Sequence, residues 1–206
     1  PMKSFLVPWW ARIAAKLCLS RIPLVYTMWR RLGLFRHGQM DNSGYALSVF
    51  RTHTAPWCFG NELIGKTILE LGPGDSIATA LISSSHGARA ILVDADAYAD
   101  TDMHNVDQLA EQLGLSGLSC PDVSQCHNLA EVLSLCGSQY LTSGLQSLRE
   151  IPDKSVDIIF SHAVLEHLRL REFDDTMNEC RRILRDGGHF SNRVDLQDHL
   201  GGGLNN

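Results

Sequence analysis

Short apolar runs rich in β-branched residues alternate along this chain with amphipathic helical patterns, which predicts an α/β domain on a doubly wound, mostly parallel sheet. Two observations sharpen the expectation. Residues 66–71, KTILEL, form a continuous apolar run that passes directly into Gly72-Pro73-Gly74, as a buried strand does when it enters a tight turn. Residues 156–160, VDIIF, repeat the pattern later, and a helix-length segment separates each such run from the next.

In chain order, 4–20 and 24–35 read as short helices parted by Pro23, and 44–57 as a third that covers the domain's mouth. The strand at 66–71 leads to a helix over 75–85, capped by Asp75 or Ser76. A second strand at 90–93 closes at Asp94. Helices follow at 102–113 and at 122–135, the latter entered through Pro121. A weaker strand is expected at 139–142, and another helix begins within 164–168 after VDIIF. Residues 173–184 are amphipathic, with Phe173, Met177, Cys180, Ile183 and Leu184 on one face; Asp186-Gly187-Gly188 stops that helix before a strand at 189–194. This divides the chain into a helical N-terminal extension or lid, 1–60, and a sheet domain, 61–206.

A chain of 206 residues buries a full core without disulfides or a structural metal. None of the six cysteines forms a CxxC pair, and no Cys/His set has zinc-ligand spacing, so no metal is expected. Reduced thiols place the protein in the cytoplasm. The charge is uneven: residues 1–60 hold eight Lys/Arg against the single acid Asp41, whereas the remainder holds ten against 22. All four tryptophans, Trp9, Trp10, Trp29 and Trp57, lie in that basic segment. Arg12, Lys16, Arg21 and Pro23 interrupt its apolar stretches, which excludes a signal peptide and a membrane span of ~20 residues.

Chemistry concentrates at Glu70-Leu71-Gly72-Pro73-Gly74-Asp75. Glycines let backbone N–H groups approach a ligand, and the following helix N-terminus offers partial positive charge. A nicotinamide-binding fingerprint requires a third glycine where Ile77 stands, and Glu70 would repel a pyrophosphate. A cationic ligand suits Glu70 better; S-adenosylmethionine, with its sulfonium and its ammonium, is such a ligand. Asp94 lies 20 residues beyond Gly74, at the end of the next strand, where a carboxylate accepts hydrogen bonds from both ribose hydroxyls. Asp94 as a helix cap is the plainer alternative, and Asp96 reads as a cap or a solvated neighbour.

Residues 151–168, IPDKSVDIIFSHAVLEHL, with ECRRILRDGGHF at 179–190, ILELGPGD and ILVDAD, resemble the class I S-adenosylmethionine-dependent methyltransferases, in particular the type 11-like methyltransferase domain. The resemblance covers 66–194 and implies a Rossmann-like fold. It implies that Glu70, Gly72, Pro73, Gly74 and Asp75 surround the methionine portion of the cofactor, and that Asp94 with Ala95 holds the ribose. Ser143, Gly144 and Leu145 then lie along the adenine edge, where relatives carry an acid or amide and this chain has Thr142, Ser143 and Gly144. Methyltransferase sheets usually continue into an antiparallel hairpin; the chain runs from Pro1 to GGGLNN, and the expectation is that C-terminal strands are missing.

Ser161 and His162 follow VDIIF at the ligand-bearing edge. Ser161 is assigned to the cofactor pocket. His162 is the candidate general base for a hydroxyl acceptor, or else a pocket residue. His167 is expected to pack under the sheet edge, Glu166 to face solvent or cap locally, and Asp157 to be structural. Trp9, Trp10, Trp29, Phe35, His37, Tyr45 and His53 are available to an acceptor pocket. Trp9 and Trp10 beside Arg12, Lys16 and Arg21 alternatively suit an anionic membrane surface. Nucleic acid is not an expected partner, because the basic patch is small and the domain acidic. The leading expectation is a methyltransferase acting on a small molecule or glycan, at oxygen. The alternative is a non-catalytic domain of the same fold serving as a binding or structural module. A nicotinamide-dependent oxidoreductase is disfavoured by Glu70 and Ile77.

Overall fold

The computed structural model describes residues 39–55 and 63–196. Its unit His37–Val194 contains every helix and strand named here. The expected helices at 4–20 and 24–35 lie outside the described residues. Five strands, β1 (Thr67–Leu71), β2 (Arg89–Val93), β3 (Gln139–Leu141), β4 (Val156–His162) and β5 (Leu184–Arg193), make one all-parallel sheet in the order β3-β2-β1-β4-β5. Among the described residues six α-helices accompany them: α1 (Ser43–Thr54), α2 (Ala78–Ser85), α3 (Met103–Leu115), α4 (Leu129–Leu135), α5 (Leu145–Glu150) and α6 (Leu170–Ile183).

Parallel strands demand cover on both faces, and the sequence supplies it. β1 is buried throughout, and its residues alternate between two cores. Ile68 joins Leu92, Ile158 and Phe160 beneath α1, α2, α3 and α4. Leu69 and Leu71 join Val93 and Ile159 beneath Leu148 and Ile151 on one side and Cys180 and Ile183 of α6 on the other. Each fully buried Leu, Ile or Phe contributes roughly 1.5–3 kcal/mol relative to exposure. Helix α1 starts at Asn42, whose Oδ1 accepts from the Tyr45 N–H at 2.9 Å. It buries Ala46, Val49, Phe50 and His53, a stripe at helical spacing.

Of the boundaries that differ from the sequence expectation, four have a local reason. Helix α2 begins at Ala78 because the turn uses the residues before it; Ser76 Oγ accepts from the Ala78 N–H at 3.1 Å, and the capping position is taken by Ile77 without a side-chain bond. Helix α4 starts only at Leu129, where Asn128 and Glu131 form a reciprocal cap: Asn128 Oδ1 accepts from the Glu131 N–H at 3.0 Å, and Glu131 Oε2 from the His127 N–H at 2.7 Å. After β4 the chain makes a single 3₁₀ turn, Leu165–His167, rather than an α-helix. Helix α6 ends at Ile183, ahead of the glycines. Gly187 and Gly188 instead sit inside β5, in an irregularity where the pairing steps from Val156–Leu184 to Ile158–His189.

At the amino end of the strands, Asp157 is structural as expected. It accepts from the Thr67 N–H at 2.9 Å, from Arg185 Nη1 at 2.9 and 3.0 Å, and from Lys66 Nζ at 3.4 Å. Burial pushes its pKa up, but the Thr67 amide and the two cations outweigh this and hold it below the usual carboxylate value. No helix among the described residues is long and apolar enough to cross a membrane.

Candidate active site

The chain order β1, β2, β3 runs to one side of β1 while β4 and β5 lie on the other, so the topological switch point falls between β1 and β4, where open α/β sheets bind ligands. Leu71 is in register with Val93 of β2 and Ser161 of β4. Gly72 and Asp94, which follow β1 and β2, and His162, the last residue of β4, therefore emerge at the same carboxyl edge.

The glycine turn and Asp94 are joined directly. Asp94 Oδ2 accepts from the Gly74 N–H at 3.1 Å, Oδ1 accepts from the Ala95 N–H at 2.8 Å, and the Gly72 N–H donates to the Val93 carbonyl at 2.8 Å. On the far side, the Gly144 N–H donates to the Asp94 carbonyl at 2.8 Å, and the Asp94 N–H to that of Leu141 at 2.9 Å. Gly144 has φ +52° and packs closely enough on Ala95 that a Cβ there would lie 3.6 Å from its Cα. Gly72, Gly74, Asp94, Ala95, Ser143 and Gly144 are thus one contiguous edge. Leu145 follows as the first residue of α5 and leans on the lower core. Asp75 is tied to the loop after β2 by its carbonyl, which accepts from the Asp100 N–H at 2.8 Å, and Pro73 is buried behind the turn. Tyr140 steadies that loop by accepting from the Tyr98 and Ala99 N–H groups at 2.9 and 3.2 Å.

Glu70 is the anomaly. It is 2 % exposed, and its Oε2 has no hydrogen-bond partner, nor has the Oγ1 of the neighbouring Thr79 on α2. Burial raises its pKa to about 8, with Asp94 adding in the same direction and Thr79 opposing. An unpaired buried carboxylate is costly, and a cation arriving at this edge would relieve it.

Gly72 is required by packing as well as by the approach of a ligand. At φ +70° it takes a backbone conformation that side-chain-bearing residues rarely adopt, and a Cβ there would meet the two methyls of Val164 at 2.6 and 2.7 Å. The glycine is needed for packing against the loop after β4 as well as for the turn. Gly72→Ala is expected to lower stability by about 1–3 kcal/mol. Thermal unfolding of the Gly72→Ala, Val164→Ala double variant should recover the steric part but not the part due to φ.

On the acceptor side, Ser161 is fully buried and donates to Asn192 Oδ1 at 2.8 Å, so its hydroxyl serves the β4–β5 pair and does not face the crevice. His162 is half-buried. Its Nδ1 lies 3.0 Å from Nε2 of His53, whose Nδ1 lies 2.7 Å from Ser191 Oγ. Tyr45 meets the His162 ring edge-on, with centroids 5.9 Å apart. Burial first, and Arg193 second, lower the pKa of His162, while Glu166 opposes them. His162 is therefore neutral at pH 7, as a general base must be. The linkage to His53 was not legible as such. The buried stripe of α1 marks His53 as inward-facing, but only the tertiary fold selects its partner. His167 is exposed rather than packed under the sheet, because the 3₁₀ turn rotates it outward, and Glu166 is half-buried rather than solvent-facing. Among the described residues no group of three His, Cys, Asp or Glu is placed to hold a metal ion.

A search of curated proteins gives no match. Among solved structures the chain is similar to a SAM-dependent methyltransferase from Archaeoglobus fulgidus (13% identity over 68% of this chain and 48% of that one, TM-score 0.41). It is also similar to Haemonchus contortus phosphoethanolamine N-methyltransferase 2 in complex with phosphomonomethylethanolamine and S-adenosylhomocysteine (17%, 70% and 26%, TM-score 0.42). A third is a putative S-adenosyl-L-methionine-dependent methyltransferase from Methanococcus maripaludis (13%, 81% and 70%, TM-score 0.39). The chain spans about half the length of the first of these and about a quarter of the second. A family model described as a methyltransferase domain matches residues 69–191, well over half of the chain and the whole of the edge just described. With that match, a five-stranded parallel sheet and its Glu70–Gly74–Asp94 turn, the chain belongs to the S-adenosylmethionine-dependent methyltransferase domain family, with a Rossmann-like fold.

Proposed function

We propose that this chain transfers the methyl group of S-adenosylmethionine to an oxygen of a small-molecule or glycan acceptor. The observation that carries the reading is the buried Glu70 carboxyl, whose Oε2 finds no hydrogen-bond partner, beside a glycine turn that Asp94 holds in place. That donor set fits a cationic adenosyl ligand: a buried carboxyl that a cation would ionise for the charged methionine end, a carboxylate for the ribose, and the Ala95–Gly144 edge for the base.

Bound S-adenosylmethionine supplies a methyl group on a sulfonium, an electrophile activated in itself. The chain's own residues have three tasks. Glu70 and the turn hold the charged end, and Asp94 orients the nucleoside, since alignment is most of what such a transfer requires. His162 takes the proton of the acceptor hydroxyl at its Nε2 as the oxygen forms the new C–O bond. The sulfonium would supply the methyl and keep the electron pair of its C–S bond, and the His162 imidazolium would return its proton to water. The four described cysteines Cys120, Cys126, Cys136 and Cys180 are free thiols, which supports a cytoplasmic setting. The basic, tryptophan-rich segment before residue 39 is offered as an acceptor-pocket lid or a peripheral membrane contact. It carries no argument for nucleic acid.

Calorimetry with S-adenosylmethionine, S-adenosylhomocysteine and NAD tests the cofactor, with micromolar binding expected for the first two and none for the third. Asp94→Ala should weaken S-adenosylhomocysteine by tenfold or more, about 1.4 kcal/mol; unchanged affinity would move the ribose elsewhere. Transfer of labelled methyl to hydroxyl, amine and carboxylate acceptors tests the atom. Transfer confined to amines would overturn the oxygen assignment.

A further inference from the structure

We infer that His53, on α1, is the positioning residue that sets the tautomer of His162, so that Nδ1 of His162 carries the proton and Nε2 presents its lone pair to the acceptor. The inference rests on the function proposed above and deepens it.

The geometry gives His53 two partners and leaves it two arrangements. Its Nε2 faces His162 Nδ1 at 3.0 Å and its Nδ1 faces Ser191 Oγ at 2.7 Å. The ring is 1 % exposed and stacked on Phe160, with centroids 5.0 Å apart and planes 13° from parallel, so it has no freedom to seek others. Burial holds its pKa down to about 4, with His162, Arg193 and His189 reinforcing, and a neutral imidazole has one N–H and one acceptor nitrogen. In the first arrangement His53 Nδ1–H donates to Ser191 and His53 Nε2 accepts from His162 Nδ1–H. His162 Nε2 is then bare. In the second the Ser191 hydroxyl donates to His53, His53 donates to His162, and the His162 proton sits on Nε2, where it blocks base catalysis. Only the first serves the reaction, and it also suits the protonated product state, because an imidazolium at position 162 keeps its Nδ1–H bond to His53. A carboxylate behind a histidine does the same task while raising its pKa. A neutral imidazole fixes the orientation and leaves His162 unprotonated near neutrality.

The inference adds α1 to the catalytic machinery. The helix is more than cover for the sheet: its buried stripe, Ala46, Val49, Phe50 and His53, delivers one polar group to the back of the base.

Ring-nitrogen NMR of ¹⁵N-labelled protein tests it, with and without saturating S-adenosylhomocysteine, and with the His162 signals assigned by their loss in His162→Gln. The expected result is a neutral His162 protonated at Nδ1. In His53→Phe, which keeps the stack on Phe160 but has no acceptor, the Nε2-protonated form should become the major species. His53→Gln, whose amide oxygen reaches about where Nε2 sits, should restore the Nδ1 form. A wild-type His162 protonated at Nε2, or the same tautomer in wild type and His53→Phe, would overturn the inference, and the wild-type spectrum decides even if His53→Phe does not fold. Calorimetry with S-adenosylhomocysteine on the same samples separates the two levels: absent binding removes the proposed reaction itself, whereas normal binding with the wrong tautomer removes only the role of His53.

Discussion

Glu70→Gln is expected to make the ligand-free protein more resistant to heat in mild alkali while weakening its hold on S-adenosylmethionine by tenfold or more. The sign follows from linkage. The folded pKa of Glu70 is raised from 4.5 to about 8, so the native state holds a proton that the unfolded state has lost. That contribution is fully present below pH 4.5 and disappears as pH rises through about 8. At one pKa unit per 1.36 kcal/mol the whole loss reaches up to about 5 kcal/mol. Gln cannot ionise, and Thr79 Oγ1 is available to its amide, so the variant escapes the loss. Wild type and variant should differ by only a few degrees near pH 5.5 and by roughly 10–20 °C near pH 9, each kcal/mol counting for roughly 2–4 °C. His53 and His162, both with lowered pKa values, tilt the curve the opposite way below about pH 6.5, and comparison of the two proteins cancels them.

Cofactor binding should show the same group from the other side. A cation beside Glu70 favours the carboxylate, so binding near pH 7 should release close to one proton, and affinity should climb with pH until about 8. Calorimetry in buffers of different ionisation enthalpy measures that proton directly. Binding without proton release, or unweakened binding by Glu70→Gln, would mean the carboxylate does not face the charged end of the cofactor.

His162→Ala is expected to cost ~10²–10⁴-fold in turnover of a hydroxyl acceptor, with S-adenosylhomocysteine affinity changed less than about threefold. For the wild type, the rate should hold down to about pH 6.5 and fall only below it, because a base works neutral and burial and Arg193 lower its pKa. The charged groups that set this limb are Arg193 on β5 and Glu166 on the 3₁₀ turn, while Tyr45 and His53 on α1 pack against the ring and His189 on β5 acts on His53. Arg193→Ala should move the limb to higher pH, and Glu166→Gln to lower. Retained turnover in His162→Ala would leave His162 as a pocket wall.

The sequence by itself determined the alternation of strands and helices, the glycine turn after β1, and that Asp94 reaches the same sheet edge as that turn. These are local or near-local facts. An apolar run that ends in Gly-Pro-Gly has few alternatives, and a carboxylate closing the next strand of a parallel sheet must reach the same edge, as the 3.1 Å bond from Gly74 to Asp94 bears out. Elsewhere competing local signals meet in one segment. The cap at Asn128 and Glu131 outweighed the apolar pattern from 122 onward, and the glycines at 187 and 188 entered a strand irregularity instead of ending a helix.

Only the tertiary structure decided what lies behind His162 and beneath Glu70. His53 is 109 residues from His162 in sequence, and no spacing rule connects a histidine on an N-terminal helix to one at the end of the fourth strand. Val164 over Gly72 and the buried, unpartnered oxygen of Glu70 are likewise products of packing. Spacing reports which residues reach one edge of a sheet. The protonation state and direction of each group there depend on solvent exclusion by elements distant in the chain, which forms only when the two cores close.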